Sequence, residues 1–169
     1  MRTLKYAILG LLNRKPMTGY DLSKEFNYQL VNFWSANHSQ IYPELKRLLD
    51  EKLVVYNIEI SGDVLQKKVY TITEKGKKEF IKWLNKDEPM EPTPKNVFRL
   101  RMYFCNNLDS DTRIRLLEHQ LAQHEERLAF LLTHMQRYSS VPPLDSDDFG
   151  DYLVLDGAIM REKTTMVLV

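Results

Sequence analysis

Residues 38–49 read HSQIYPELKRLL, and their side chains sort into an apolar set and a set suited to a polyanion. At 100° per residue, Ile41, Leu45, Leu48 and Leu49 share about 100° of arc, the stripe of a helix lying on a core. Ser39, Gln40, Pro43, Lys46 and Arg47 fall mostly on the opposite side, with Tyr42 on the flank. Gln40 suits base edges, and Lys46 and Arg47 suit guanine or phosphate. Ser39 is the expected N-cap. Pro43 comes early enough that few backbone hydrogen bonds are lost, and it stiffens the first turns. The N–H groups at such a helix start offer partial positive charge to a phosphate. An ordinary amphipathic helix with a solvated outer face has the same pattern, so its neighbours must decide.

Those neighbours predict a small domain. Leu4, Ile8, Leu11 and Leu12 make a helical stripe that Pro16 ends. Thr18-Gly19-Tyr20-Asp21 has the form of a capping box opening a second helix, with Leu22 and Phe26 inward. The 39–51 helix follows. Val54, Tyr56, Ile58 and Ile60 then alternate with Val55, Asn57 and Glu59, Ser61-Gly62-Asp63 is turn chemistry, and Lys68, Tyr70 and Ile72 alternate on a return strand. Thr73 caps a fourth helix to about Asn85, with Phe80, Trp83 and Leu84 inward. Three helices and a hairpin form the winged helix-turn-helix order, whose second motif helix enters the major groove. Gln66-Lys67-Lys68 lies by the hairpin tip, placing Lys67 and Lys68 where a wing meets a phosphate backbone.

The charge distribution agrees. Residues 1–86 hold 15 Lys+Arg and 9 Asp+Glu, a net +6, while residues 87–169 hold 9 and 14, a net −5. A polyanion would meet the first half. The 169 residues, 43% hydrophobic and 28% charged, are ordinary for a soluble globular chain. Cys105 is the only cysteine, so an internal disulfide is excluded, in keeping with a reducing cytoplasm. The Tyr6–Leu12 apolar run is too short for a bilayer, and neither a signal peptide nor a membrane segment is expected.

Pro89, Pro92 and Pro94 mark a linker over 87–95, dividing a DNA-binding domain (1–86) from a helical dimerisation domain (96–169). In the second half Ile114, Leu117, Leu121, His124, Leu128, Leu131, Met135 and Tyr138 are spaced alternately by three and four, a heptad seam capped by Asp109 or Ser110. So long a stripe in so small a domain is expected to pack against a second copy, with Leu117, Leu121, His124, Leu128, Leu131 and Met135 as dimer contacts. His124 is expected to be a hydrogen-bonded seam residue that fixes register. Tyr152, Leu153, Leu155, Ile159 and Met166 supply a last helix beside it. A twofold dimer would present two recognition helices to an inverted repeat. The fold class expected is mainly α.

Rival functions leave weaker traces. No nucleophile elbow, phosphate loop or zinc-protease arrangement is present, so an enzyme is not expected, nor any cofactor. A metal sensor would need His119, His124, His134 and Cys105, whose spacings of five and ten residues set no shared helical face. A pure interaction protein would lack salt-dependent DNA affinity, whereas a chain touching several phosphates should lose on the order of a thousandfold between 50 and 200 mM salt.

LKYAILGLL, TGYDL, FWSANHSQIYPELKRLLDEKLV, KKVYTITEKGK and DFGDYLVLDGAIMREK, in order over nearly the whole chain, resemble the PadR family of transcriptional regulators. FWSANHSQIYPEL with DFGDYLVL is similar more narrowly to its phenolic-acid-responsive members. The resemblance implies a winged helix plus a helical dimerisation domain, with a last helix running past TTMVLV. It also implies a repressor, of a phenolic acid decarboxylase gene, released from DNA by hydroxycinnamates such as p-coumaric acid. Such a ligand needs an apolar slot, an aromatic wall and a donor for its carboxylate. Tyr6, Phe33, Trp34, His38, Phe98, Arg101 and Met102 are the residues expected to supply these.

Overall fold

A computed structural model describes residues 2–28, 30, 34, 38–61, 65–90 and 92–167. The order is α1 (Thr3–Arg14), β1 (Met17–Thr18), α2 (Gly19–Tyr28), α3 (His38–Asp50), β2 (Val54–Ser61), β3 (Leu65–Ile72), α4 (Glu74–Leu84), α5 (Val97–Tyr103), a short 3-10 turn (Cys105–Asn107), α6 (Ser110–Met135) and α7 (Asp147–Val167). Two compact units result, Met1–Glu88 and Pro89–Val169.

The first unit is a winged helix. Its core joins Ile8, Leu9 and Leu12 of α1, Leu22 and Phe26 of α2, and Ile41, Leu45 and Leu48 of α3, with Tyr70 and Ile72 of the sheet. The helical stripes thus land inside as their spacing requires. The Thr18–Asp21 box is closed in both directions. The Thr18 N–H donates to Asp21 Oδ2 (3.2 Å), and the Asp21 N–H donates to Thr18 Oγ1 (3.1 Å). A further bond from the Thr18 hydroxyl holds the Asp21 carboxyl below its ordinary range. Thr73 caps α4 by accepting from the Gly76 N–H at 3.0 Å.

The end of α3 is tied to the start of α4. Lys52 takes a left-handed conformation (φ 59°), and the Leu53 and Lys52 N–H groups reach back to the Leu48 and Leu49 carbonyls, both at 2.9 Å. This is the Schellman pattern, with lysine where glycine is commoner. The Thr73 N–H and hydroxyl then donate to the Leu53 carbonyl at 3.0 and 3.1 Å, and Lys75 Nζ donates to the Glu51 carbonyl at 2.8 Å.

The sheet order is β1-β3-β2, all antiparallel. β2 and β3 pair from Val54↔Ile72 to Ser61↔Leu65, and Met17 and Thr18 pair with Tyr70 and Val69. Two expectations are corrected here and one element is added. Ser39 is not the cap, because α3 already begins at His38. Leu84, the last residue of α4, is 54% exposed, so only Phe80 and Trp83 turn inward. The two-residue β1 is an addition, too short to show a period.

In the second unit Asp109 caps α6, accepting from the Thr112 N–H at 2.8 Å. α6 and α7 pack together around Leu131, Leu155, Ala158 and Ile159, with Leu128, Met135 and Tyr138 against them. This corrects part of the heptad reading. The seam's later half is covered by the same chain, because α7 folds back along it, and Leu131 is fully buried there. The helix stops at Met135, before Tyr138. His124 bonds within the chain too, with Nδ1 2.5 Å from Glu162 Oε2 of α7 and Nε2 3.0 Å from Gln120 Nε2. Ile114 and Leu153 are exposed, and Leu117 and Leu121 half-buried. Among the described residues no helix is long and apolar enough to cross a membrane.

Candidate nucleic-acid interface

α3 presents Ser39, Gln40, Tyr42, Pro43, Lys46 and Arg47 on its exposed side and buries Ile41, Leu45 and Leu48. Pro43 lies inside the helix and removes the bond its nitrogen would have given the Ser39 carbonyl. The capped start of α2, the flank of α3 and the wing enclose an open groove of about 700 Å³. Thr18, Gly19, Tyr20 and Asp21 line it from α2 and the residue before, Tyr42 from α3, and Gln66, Lys67, Lys68 and Tyr70 from β3.

Tyr42, Lys67 and Lys68 thus meet at one groove, while Ser39, Gln40, Pro43, Lys46 and Arg47 stay on the outer side of α3 without lining it. The Lys68 ammonium stands 4.5 Å from the Tyr56 ring centre, a cation–π contact that steadies it on the wing. Asp21 is the opposing charge in the groove, and its bonds with Thr18 and the field of Lys24 and Lys67 keep it ionised. The groove therefore offers ammonium groups and a phenol to an anion, flanked by a polar helix face that could reach bases.

Sequence reasoning passed over Glu44. It sits within α3 at only 4% exposure, held by Arg2 from the chain's start. Arg2 Nη2 and Nε donate to Glu44 Oε1 at 2.5 and 3.1 Å, and another Arg2 nitrogen bonds Glu51. Lys5 continues the network to Glu51 at 3.4 Å and Glu79 at 3.0 Å. The helical wheel carried the signal: Glu44 falls about 60° from Ile41 and about 40° beyond Leu48, on the border of the apolar arc. A carboxylate there demands a cation. Arg47 also reaches Glu44, at 3.4 Å, so one of the cations assigned to DNA is shared with this internal pair.

The residues expected to hold a ligand are placed in separate units. Tyr6 stacks on Trp83 (4.7 Å, 5° between planes) and donates its hydroxyl to Glu79 Oε1 at 3.2 Å. Its burial, above all, raises the pKa of that hydroxyl. Trp34 packs half-buried on the first core. In the second unit α5 carries half-buried Phe98 and Met102 and exposed Arg101. Phe33 and the side chain of His38 lie outside the described residues.

Comparison with known proteins follows the same division. The family model for the transcriptional regulator PadR-like family matches residues 8–82, and that for the virulence activator alpha C-terminal region matches residues 94–166. The negative transcriptional regulator PadR of Bacillus subtilis is 43% identical over 166 residues, covering 96% of this chain and 91% of that protein. The crystal structure of Bacillus subtilis PadR in complex with operator DNA is similar at a TM-score of 0.93 and 41% identity, over 99% of this chain and 95% of that one. The same protein's structure in complex with p-coumaric acid is similar at 0.86 and 40%, over 99% and 94%.

Proposed function

Because the chain belongs to the PadR-like family of transcriptional regulators, we propose that it is a homodimeric repressor that binds an inverted-repeat operator and leaves it when a hydroxycinnamic acid binds. The observation that carries the DNA part is the groove that joins Tyr42 of α3 to Lys67 and Lys68 of the wing, beside the exposed polar side of α3. Ser39, Gln40 and Tyr42 are the candidates for base edges, and Lys46, Arg47, Lys67 and Lys68 for phosphates. The ligand part rests on the relative solved with p-coumaric acid, and the target gene proposed is that of a phenolic acid decarboxylase. Tyr6, Phe33, Trp34, His38, Phe98, Arg101 and Met102 remain the proposed ligand residues. No catalytic role is assigned to the chain, and a regulator of this kind works in the cytoplasm beside its DNA.

Dimer formation is proposed through the second unit. Val97, Leu100, Tyr103 and Phe104 of α5 and the turn after it, with Phe130 and Leu132 on the two flanks of α6 either side of Leu131, are all exposed apolar groups there. Leu117 and Leu121 are heptad positions outside the buried α6–α7 cluster and stay on the list of contacts.

Fluorescence anisotropy of a labelled promoter fragment from beside a phenolic acid decarboxylase gene tests the reading. Tight binding that weakens with salt and is reversed by p-coumaric acid is expected. Tight binding indifferent to the acid would keep the DNA reading and point to another aromatic ligand. Lys67→Ala adds a quantitative check. Losing one phosphate contact should flatten the log–log salt slope by about 0.9, which near 0.15 M salt is roughly a fivefold loss of affinity on every DNA sequence.

A further inference from the structure

The start of α2 is shaped around one side chain of α3. A Cβ added at Gly19 would lie 2.8 Å from both Cε1 and Cζ of Tyr42 and 2.9 Å from its hydroxyl oxygen. Real Cβ atoms do not come so close, so the Tyr42 ring occupies the space that any other residue at position 19 would fill. Gly19 is buried, and Ser23 Oγ donates to its carbonyl at 3.0 Å, which anchors the backbone under the ring. Tyr42 itself is 42% exposed, and its phenol end shares the groove with Lys67 and Lys68. We propose that Gly19 is a positioning residue for operator recognition: by lacking a side chain it seats the Tyr42 ring across the start of α2 and aims the phenol into the groove.

The proposal rests on the DNA-binding reading and adds to it a residue that need not touch DNA. The three atoms met by the added Cβ all belong to the far end of one half-exposed side chain. Such a ring can swing outward, so Gly19→Ala should leave the fold intact and move only the phenol. Alanine is also the better helix former, which protects the helix in the variant. The signature is therefore a loss of binding without a loss of stability, and it must pass through Tyr42.

A double-mutant cycle reads this directly. The probe is a labelled duplex that the wild-type chain selects from a random-sequence pool, and the readouts are anisotropy and the thermal midpoint. Gly19→Ala is expected to weaken binding about tenfold with no fall in the thermal midpoint, and to have no further effect in a Tyr42→Ala background. Equal losses in both backgrounds would overturn the proposal, since Gly19 would then act through its own helix. Unchanged affinity in Gly19→Ala would overturn it as well. Selection of no duplex at all would sink the DNA-binding reading and this proposal together.

Discussion

Gly76→Ala should lower the thermal midpoint of the first unit by roughly 10 °C or more. The added Cβ would fall far inside contact distance of the Leu53 carbonyl oxygen, and 2.8 Å from Ile72 Cγ1. Unlike the tyrosine ring at Gly19, that oxygen is backbone and has no room to swing. It accepts from the Thr73 N–H and from the Thr73 hydroxyl, while Leu53 is itself held by its N–H bond to the Leu48 carbonyl. Relief therefore means parting the start of α4 from the end of α3, with loss of the Thr73 cap and the packing below it. Overpacking at an immovable neighbour costs about 3 kcal/mol or more, against a total stability of roughly 5–15 kcal/mol for a domain. Denaturation followed by circular dichroism gives the answer. Gly150→Ala is the control, since nothing lies within 4 Å of a Cβ there, and its midpoint should not fall. A Gly76→Ala chain as stable as wild type would show that the α3–α4 junction can open without penalty.

Arg2→Ala is the second large effect. The Glu44 side chain is 5% exposed and Arg2 is its main partner, so the variant leaves a desolvated carboxylate with only the longer contact to Arg47. Breaking a buried pair from one side costs about 3–5 kcal/mol, and because the Arg2 side chain is 41% exposed about 2 kcal/mol is the fair expectation. Replacing both members, Arg2→Ala with Glu44→Leu, should recover most of the loss, since no charge is then stranded. The network also sets a pH window. Glu51 is held below its ordinary 4.5 first by the bond from Arg2, and Glu79 first by the bond from Lys5. A carboxyl depressed in the folded state contributes stability that is present above 4.5 and is lost as pH falls through the folded value. Lys5 is raised above 10.5; burial opposes this, and the bond to Glu79 with the charges of Glu51 and Glu79 prevails. Its contribution is complete below 10.5 and fades as pH climbs past the folded value. Stability should thus decline from pH 6 to 3 more gently in Arg2→Ala than in wild type, in denaturant titrations across that range. Parallel curves would show that Arg2 does not hold Glu51.

Local rules were the readable part of this sequence. The Thr18–Asp21 box, the Thr73 cap and the stripe of Ile41, Leu45 and Leu48 depend on neighbours a few residues apart, so spacing alone locates them. What escaped depends on partners far along the chain. β1 exists only because Tyr70 and Val69 arrive beside Met17 and Thr18. The heptad spacing of α6 was clear, but spacing does not say which helix covers a stripe, and α7 of the same chain takes Leu131 and His124. Period two identified the strands of the wing but not their setting: Ile58 and Ile60 alternate as buried residues would and yet stand exposed. Within the candidate interface the exposed α3 residues and the wing lysines were visible in sequence. Glu44's partner was not, because it lies forty-two residues away.

The short strand β1 has a consequence for how the first unit comes into being. Met17 and Thr18 leave a ribosome some fifty residues before the strand they pair with, and α1 leaves well before the α4 it packs against. The first two helices therefore emerge with their apolar stripes uncovered, and the contacts that would cover them have long loops to close. α3 follows and covers part of both stripes, but the unit is complete only when β3 and α4, to residue 84 or so, are free as well. Until then α1 and α2 are the segments that a chaperone or a neighbouring nascent chain would find first.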